Sequence, residues 1–245
     1  MRRAALSLHV VGGLPEVRPG DDLGALLAGA TAPQPGDILV IAHKVVSKAE
    51  GSLRELASVE PSARARELAA AHGKDPRLVQ TILDETATLL RADHGVLICE
   101  THHGLICANA GVDQSNAPEG HAVLLPEDPD RSARDLRTRL PGHPAVVIGD
   151  SFGRAWRLGQ VDVAIGTAGL GPLDDWRGRA DAHGRELRAT AAAVGDAVAA
   201  AADLARRKDA GEPAVLVRGL GHLVTEADGP GAAALRRPVE DDLFR

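Results

Sequence analysis

Residues 145–166 read AVVIGDSFGRAWRLGQVDVAIG, and the fold turns on them. An apolar run at 145–148 ends at Gly149-Asp150, and a second follows at 161–165. Short apolar runs rich in Val and Ile and bounded by Gly read as buried strands, because a helix needs about ten residues or more. The intervening SFGRAWRLGQ reads as a loop. Polar residues directly after a strand end occupy the position where sheet-based folds place ligands. Asp150 there suits Mg²⁺ or Mn²⁺, Ser151 offers another oxygen, and Arg154 and Arg157 suit a phosphate or carboxylate clamp. A turn-capping Asp beside two surface arginines fits the same letters. Two Arg and one of the chain's two Trp on one Gly-containing loop favour a functional role.

Working outward, residues 37–42 (DILVIA) form another buried strand, which runs into the polar stretch HKVVSKAEG at 43–51. Residues 6–11 alternate loosely and stop at Gly12-Gly13, a strand entering a turn. A short helix covers 22–30, capped by Asp21 or Asp22. Pro61 precedes a helix over 63–72 that Gly73 ends, and Asp75-Pro76 repeats the start signal. Leu78, Val79, Ile82, Leu83 and Thr86 then fall at helical spacing. Strands at 95–99 and 104–108 flank a turn at 100–103, and NAGVDQSNAPEGH at 109–121 is a loop. A strand at 122–125 and a helix at 130–140 follow. The longest helix spans 185–205, with Leu187, Ala191, Val194, Val198 and Ala201 on one face, before a last strand at 214–217 and an irregular end. Strands and helices mix without a βαβ repeat. The expected class is α+β (mixed α/β): a mixed sheet with flanking helices and a second lobe after residue 60, within one domain over 1–245.

Composition narrows the function. Hydrophobic residues make up 44% of the 245, yet there are two Phe, two Trp, no Tyr and one Met, so Ala, Val, Leu and Ile build the core. Few aromatic stacking platforms and a net charge of −6 argue against a general nucleic-acid binder. Cys99 and Cys107 are expected to be buried free thiols. The opening MRRAALSLHVVGGLPE is no signal peptide, and no run approaches the ~20 apolar residues of a membrane span. The expectation is a soluble, cytoplasmic protein.

Two further stretches can carry chemistry. Lys44 and Lys48 stand four apart beside Ser47, which suits a polyphosphate, although the spacing is not that of a P-loop. A solvated basic strand end fits equally. Asp113, flanked by amides and a hydroxyl in NAGVDQSN, suits a hard cation, and local turn hydrogen bonding fits it too. Glu100, His102 and His103 resemble metal ligands, but adjacent side chains on a hairpin point to opposite faces, so a solvated turn is expected. Asp174-Asp175-Trp176 faces the site or forms a turn, and GLPEV at 13–17 is by itself only a turn.

In chain order, GLPEV at 13–17, VVSKAEG at 45–51, NAGVDQSN at 109–116, GDSFGRAWRLGQVDVAIG at 149–166, the stretches around Trp176 and Gly184, and PAVLVRGL at 213–220 closely resemble the coenzyme F-420-0:L-glutamate ligase family. The likeness covers roughly residues 6–221. It implies an intertwined homodimer acting as a GTP-dependent γ-glutamyl ligase, with GTP and one or two Mn²⁺ or Mg²⁺ ions in a cleft. Its substrates would be coenzyme F-420-0 and L-glutamate, joined by way of an acyl phosphate. Residue by residue, the resemblance implies Asp113 and Asp150 as ligands of one ion and Ser151 of the other. It places Leu14, Pro15, Glu16, Val17, His43, Lys44, Lys48 and Asn116 at the nucleotide. Lys48, Asp113 and Asp150 would act in catalysis, and Arg154 or Arg157 would position a carboxylate. Where the family usually has a Met-Gly step and a polar residue near the second metal, this chain reads Leu204-Ala205-Arg206-Arg207-Lys208-Asp209; these cations can meet phosphate but cannot ligate a metal. Ala155 stands where the family often has Pro, and no fused C-terminal reductase-like domain is expected. A metal-dependent phosphotransferase or phosphatase, and a nucleotide-binding protein without catalysis, are the competing readings.

Overall fold

A computed structural model describes residues 5–242. At its centre lies a five-stranded sheet of β1 (Ser7–Val11), β2 (Ile38–Ala42), β8 (Ala145–Arg154), β9 (Arg157–Ala168) and β12 (Ala214–Arg218), in the order β1-β12-β2-β8-β9. Strands β2 and β8 are parallel and the other neighbours antiparallel, so the sheet is mixed as expected. Pairing of Ala42 with Gly149 brings the ends of two apolar runs side by side. His43 and Asp150, one residue further along each chain, therefore emerge together.

Both faces of the sheet are covered, which is why its strands read as continuous apolar runs. Leu39, Ile41, Val146, Ile148 and Leu216 face α1 (Leu23–Ala30), α2 (His43–Glu50) and α5 (Pro129–Arg139). The alternate residues Ile38, Val40, Val147, Val215 and Val217 pack against Val198, Ala199 and Ala202 of α6 (Val194–Asp203). Gly166 allows α5 this close, because a Cβ there would lie 2.3 Å from the Pro129 carbonyl oxygen.

A separate core gathers Leu56, Leu68, Val79, Ile82, Leu97 and Val112. It joins α3 (Ala63–His72) and α4 (Pro76–Asp84) to the sheet of β4 (Thr86–Asp93), β5 (Val96–Thr101) and β6 (Ile106–Ala108). Strands β3 (Leu53–Glu55) and β7 (His121–Val123) pair where this excursion leaves and rejoins the main body. Asp22 and Asp75 cap α1 and α4 as read, and Ser62, which follows the Pro61 start signal, caps α3; each accepts a backbone N–H with its side chain. Cys99 and Cys107 are free and buried. Among the described residues no helix is long and apolar enough to cross a membrane.

Several elements differ from the expectation. HKVVSKAE is the helix α2, not a polar strand end. SFGRAWRLGQ is not a loop: β8 and β9 run on through it as one hairpin, with pairing down to Arg154 and Arg157. Thr86 starts β4 rather than completing α4, and two register shifts break that strand's alternation. The helix at 185–205 begins only at Val194, because Ala191–Ala193 form β11, paired with β10 (Leu173–Asp175). A run of alanine has high helix propensity, but strand pairing overrides that weak preference. The 100–103 turn is anchored: His103 Nε2 lies 2.9 Å from the Pro126 carbonyl and His102 Nε2 3.1 Å from that of Asp84.

Arg137 on α5 is 1% exposed and ties the end of the chain to the body. Its guanidinium donates to the carbonyls of Pro144 at 3.2 Å, Thr225 at 2.6 Å and Glu226 at 3.0 Å, and to Asp228 Oδ1 at 2.6 Å. Asp130 adds a second tie, accepting from the backbone N–H groups of Thr167, Ala232 and Ala233.

Candidate active site

A cleft of about 240 Å³ opens at the end of β2 and beside the middle of β8, which runs on past Asp150 instead of ending before it. Its walls are the segment 14–17, the first turn of α2 with Lys48, Asn116, the step Gly149-Asp150-Ser151, and the stretch 206–213. The N-cap of α2 is Ala42, which has no side-chain acceptor for the helix's first backbone N–H groups. Ala42, His43, Lys44 and Val45 line the cleft, so this helix start presents uncapped donors and the positive end of its dipole to whatever binds. Lys44, Lys48, Arg206, Arg207 and Lys208 stand on the same walls. A protein of net charge −6 thus concentrates positive charge in one cavity, as a polyanion requires.

The acids are placed by the same helix. Lys44 Nζ donates to Asp113 Oδ2 at 2.6 Å and also to Ser115. Burial raises the Asp113 carboxyl's pKa, but the Lys44 ammonium and the Ser115 N–H and hydroxyl outweigh it, leaving the carboxyl below its ordinary range. Asp113 itself stands behind Lys44 rather than on the cleft wall. His43, 1% exposed, has Nδ1 3.3 Å from Ser47 Oγ. Its Nε2 lies 3.3 Å from Asp150 Oδ1 but out of hydrogen-bond alignment. Asp150 Oδ1 also accepts the Ser151 N–H at 2.7 Å. Lys48 crosses the cleft to Glu16 Oε1 at 2.5 Å, and Asn116 sits on the wall in the left-handed region, with φ 58°. Burial and then the Asp150 carboxylate push the Cys107 thiol up to about 12, which leaves it un-ionised at neutral pH.

Opposite Ser151 in the β8–β9 register is Asp162, fully buried. Ser151 Oγ donates to Asp162 Oδ1 at 2.6 Å, Arg206 pairs with Oδ2, and Lys208 Nζ lies 3.1 Å from Oδ1. Asp203, at the end of α6, holds Lys208 Nζ at 2.6 Å. Neither Asp162 nor Asp203 was a sequence candidate. The signal for Asp162 was there: a carboxylate inside the apolar run VDVAIG must be paired if that strand is buried. Arg154 and Arg157 do not reach the cleft. They stand at the exposed hairpin tip with Trp156 and Leu158, which are 84% and 97% exposed, and Arg154 donates to the Leu158 carbonyl.

The donor set divides in its fit to a metal. Asp150 offers carboxylate oxygen on the cleft wall beside the helix start, whereas Asp113 offers it only once Lys44, which donates to its Oδ2, turns away; Mg²⁺ is commonly held by one or two carboxylates together with substrate phosphates. Among the described residues no group of three or more His, Cys, Asp or Glu could hold an ion unaided. An ion on Ser151 does not fit, since the Lys208 ammonium already donates to its Oγ at 2.8 Å.

The family model for F420-0:gamma-glutamyl ligase matches residues 13–219. Curated relatives named coenzyme F420:L-glutamate ligase span nearly the whole chain. The protein of Methanopyrus kandleri is 49% identical over 236 residues, 94% of each chain. That of Methanothermobacter thermautotrophicus is 45% identical over 252 residues, covering 98% of this chain and 99% of the relative. That of Archaeoglobus fulgidus is 42% identical over 241 residues, 96% and 94% respectively.

Proposed function

The chain belongs to the F420-0:gamma-glutamyl ligase family, and from that premise we propose that it uses GTP and a divalent cation to join L-glutamate to the lactyl carboxylate of coenzyme F-420-0. The observation that carries the nucleotide part is the uncapped start of α2, set between Lys44 and Lys48 and beside two acids.

Amide formation from a free carboxylate is uphill in water, so the carboxylate must be activated. Its oxygen attacks the γ-phosphorus of GTP, the bond to the bridging oxygen breaks, and GDP leaves with an acyl phosphate remaining. The glutamate amine then attacks the acyl carbon, a C–N bond forms, and inorganic phosphate departs with the C–O bond's electron pair. The chain's task is mainly electrostatic and positional. The first N–H groups of α2, Lys44 and Lys48 neutralise phosphate oxygens, with Lys48 exchanging Glu16 for the nucleotide. Asp113 and Asp150 would hold the cation, which when bound offsets charge on the transferring phosphoryl group. His43, fixed through Ser47, stands beside Asp150.

The decisive experiment incubates the protein with coenzyme F-420-0, L-glutamate, GTP and Mn²⁺ and weighs the deazaflavin product by mass spectrometry. A gain of one glutamate residue or more, requiring all four components, is the expected result. Phosphate release that ignores glutamate, with no mass gain, would reassign the site to a phosphotransferase or phosphatase.

The homodimer belongs to the same proposal. The apolar tip of the β8–β9 hairpin is covered by a second copy, which carries Arg154 and Arg157 towards a site on its partner. Leu158→Asp is expected to convert the dimer to monomer in light-scattering measurements. A dimer of unchanged affinity would remove the hairpin from the interface.

A further inference from the structure

Lys208 fills a place whose surroundings are those of a cation site. Its Nζ donates to Ser151 Oγ at 2.8 Å and lies 3.1 Å from Asp162 Oδ1 and 2.6 Å from Asp203 Oδ1. These oxygens come from three elements: β8, β9 and the end of α6. A hydroxyl and two carboxylates converging on one point form a donor set for a hard dication. The point is occupied by the chain's own ammonium.

The charge balance is already complete. Asp162 and Asp203 contribute two negative charges, and Arg206 and Lys208 contribute two positive ones. Asp162 is fully buried, so its charge demands close compensation, and Arg206, itself almost wholly buried, supplies it on one oxygen. A divalent ion on Ser151 would stand within hydrogen-bonding distance of an ammonium and near a guanidinium, with no carboxylate left to offset it. Lys208 nevertheless keeps contact with solvent, its side chain 61% exposed, and it lines the cleft. It is held by acids on one side and opens to the cleft on the other.

We propose that Lys208 is a built-in cation: this chain carries one exchangeable divalent ion, on Asp113 and Asp150, and the Lys208 ammonium takes the place of a second beside the nucleotide's phosphates. Asp162 and Asp203 are its positioning residues. The inference rests on the reading of the cleft as a nucleotide site, and its test separates the two. Mn²⁺ is titrated into the full chain mixed with an equal amount of GTP, and the free ion is counted by electron paramagnetic resonance. GTP affinity is measured in parallel at one equivalent of Mn²⁺. Wild-type protein is expected to saturate at one ion per protomer. Lys208→Ala is expected to bind GTP at least fivefold more weakly with an unchanged unfolding temperature, and Lys208→Arg, which restores a cation, to recover most of that loss. Two ions on the wild-type protomer, or a smaller loss in Lys208→Ala, would overturn the proposal while leaving the nucleotide site standing. Absence of any GTP binding to the wild-type chain would instead overturn the reading of the cleft.

Discussion

Asp150→Asn should lower turnover by roughly three orders of magnitude while the protein stays folded. The substitution keeps the side chain's shape and the oxygen that accepts the Ser151 N–H, so the β8–β9 pairing around it is preserved. What goes is the negative charge beside the end of β2, next to the uncapped helix start that lines the cleft. A catalytic ion is worth several kcal/mol of transition-state stabilisation, and each ~1.4 kcal/mol is tenfold in rate. Losing one of its two protein carboxylates therefore predicts a drop of about 10³ in kcat at ordinary Mn²⁺, with the metal requirement moved to higher concentration. Turnover within tenfold of wild type, at an unchanged metal requirement, would take Asp150 out of the chemistry.

Arg137→Ala carries the largest expected effect on stability. The guanidinium is buried and donates to three backbone carbonyls and one carboxylate on segments otherwise distant in sequence. Truncation leaves the Pro144, Thr225 and Glu226 carbonyls without their partner, and each unsatisfied group costs about 1 kcal/mol or more, so a loss of about 3 kcal/mol is expected. For a chain of this size that corresponds to a fall of roughly 6–12 °C in the unfolding midpoint. Asp228 is partly exposed and finds water, so its freed charge adds little. A midpoint within about 2 °C of wild type would mean that water replaces the guanidinium at little cost.

How much of this was legible depended on what each residue packs against. Strands β2 and β12 and the first half of β8 stood out because both faces are buried there and the letters are apolar. The cap residues of α1 and α4 were legible because a side-chain oxygen before a helix has a local reason to be there. Helix α2 was not, since its buried residues include His43, Ser47 and Lys48. A helix that turns polar side chains into a cleft loses the contrast that marks an amphipathic face. The hairpin at 150–160 was hidden for the opposite reason: most of it faces solvent, so no alternation records its pairing. For the site, the motif resemblance pointed to the wall residues Leu14 to Val17, His43, Lys44, Lys48, Asn116, Asp150 and Ser151, and the fold brings them to one cleft. Asp162 and Asp203 escaped because their partners, Arg206 and Lys208, meet them only through the β8–β9 register and the exit from α6.

The ties made by Arg137 and Asp130 also bear on where this unit of folding stops. The family match closes at residue 219, directly after the last strand of the central sheet. Yet residues 225–233 supply the acceptors of a buried cation and the donors that occupy a buried-edge carboxylate, and Gly229 and Leu170 approach so closely that a Cβ at 229 would touch the Leu170 carbonyl. The family model's match and the packing of this body thus end at different places along the chain. A fragment trimmed at 219 would keep the whole stretch that the family model matches and lose the strap that fastens its longest hairpin to its neighbouring helix.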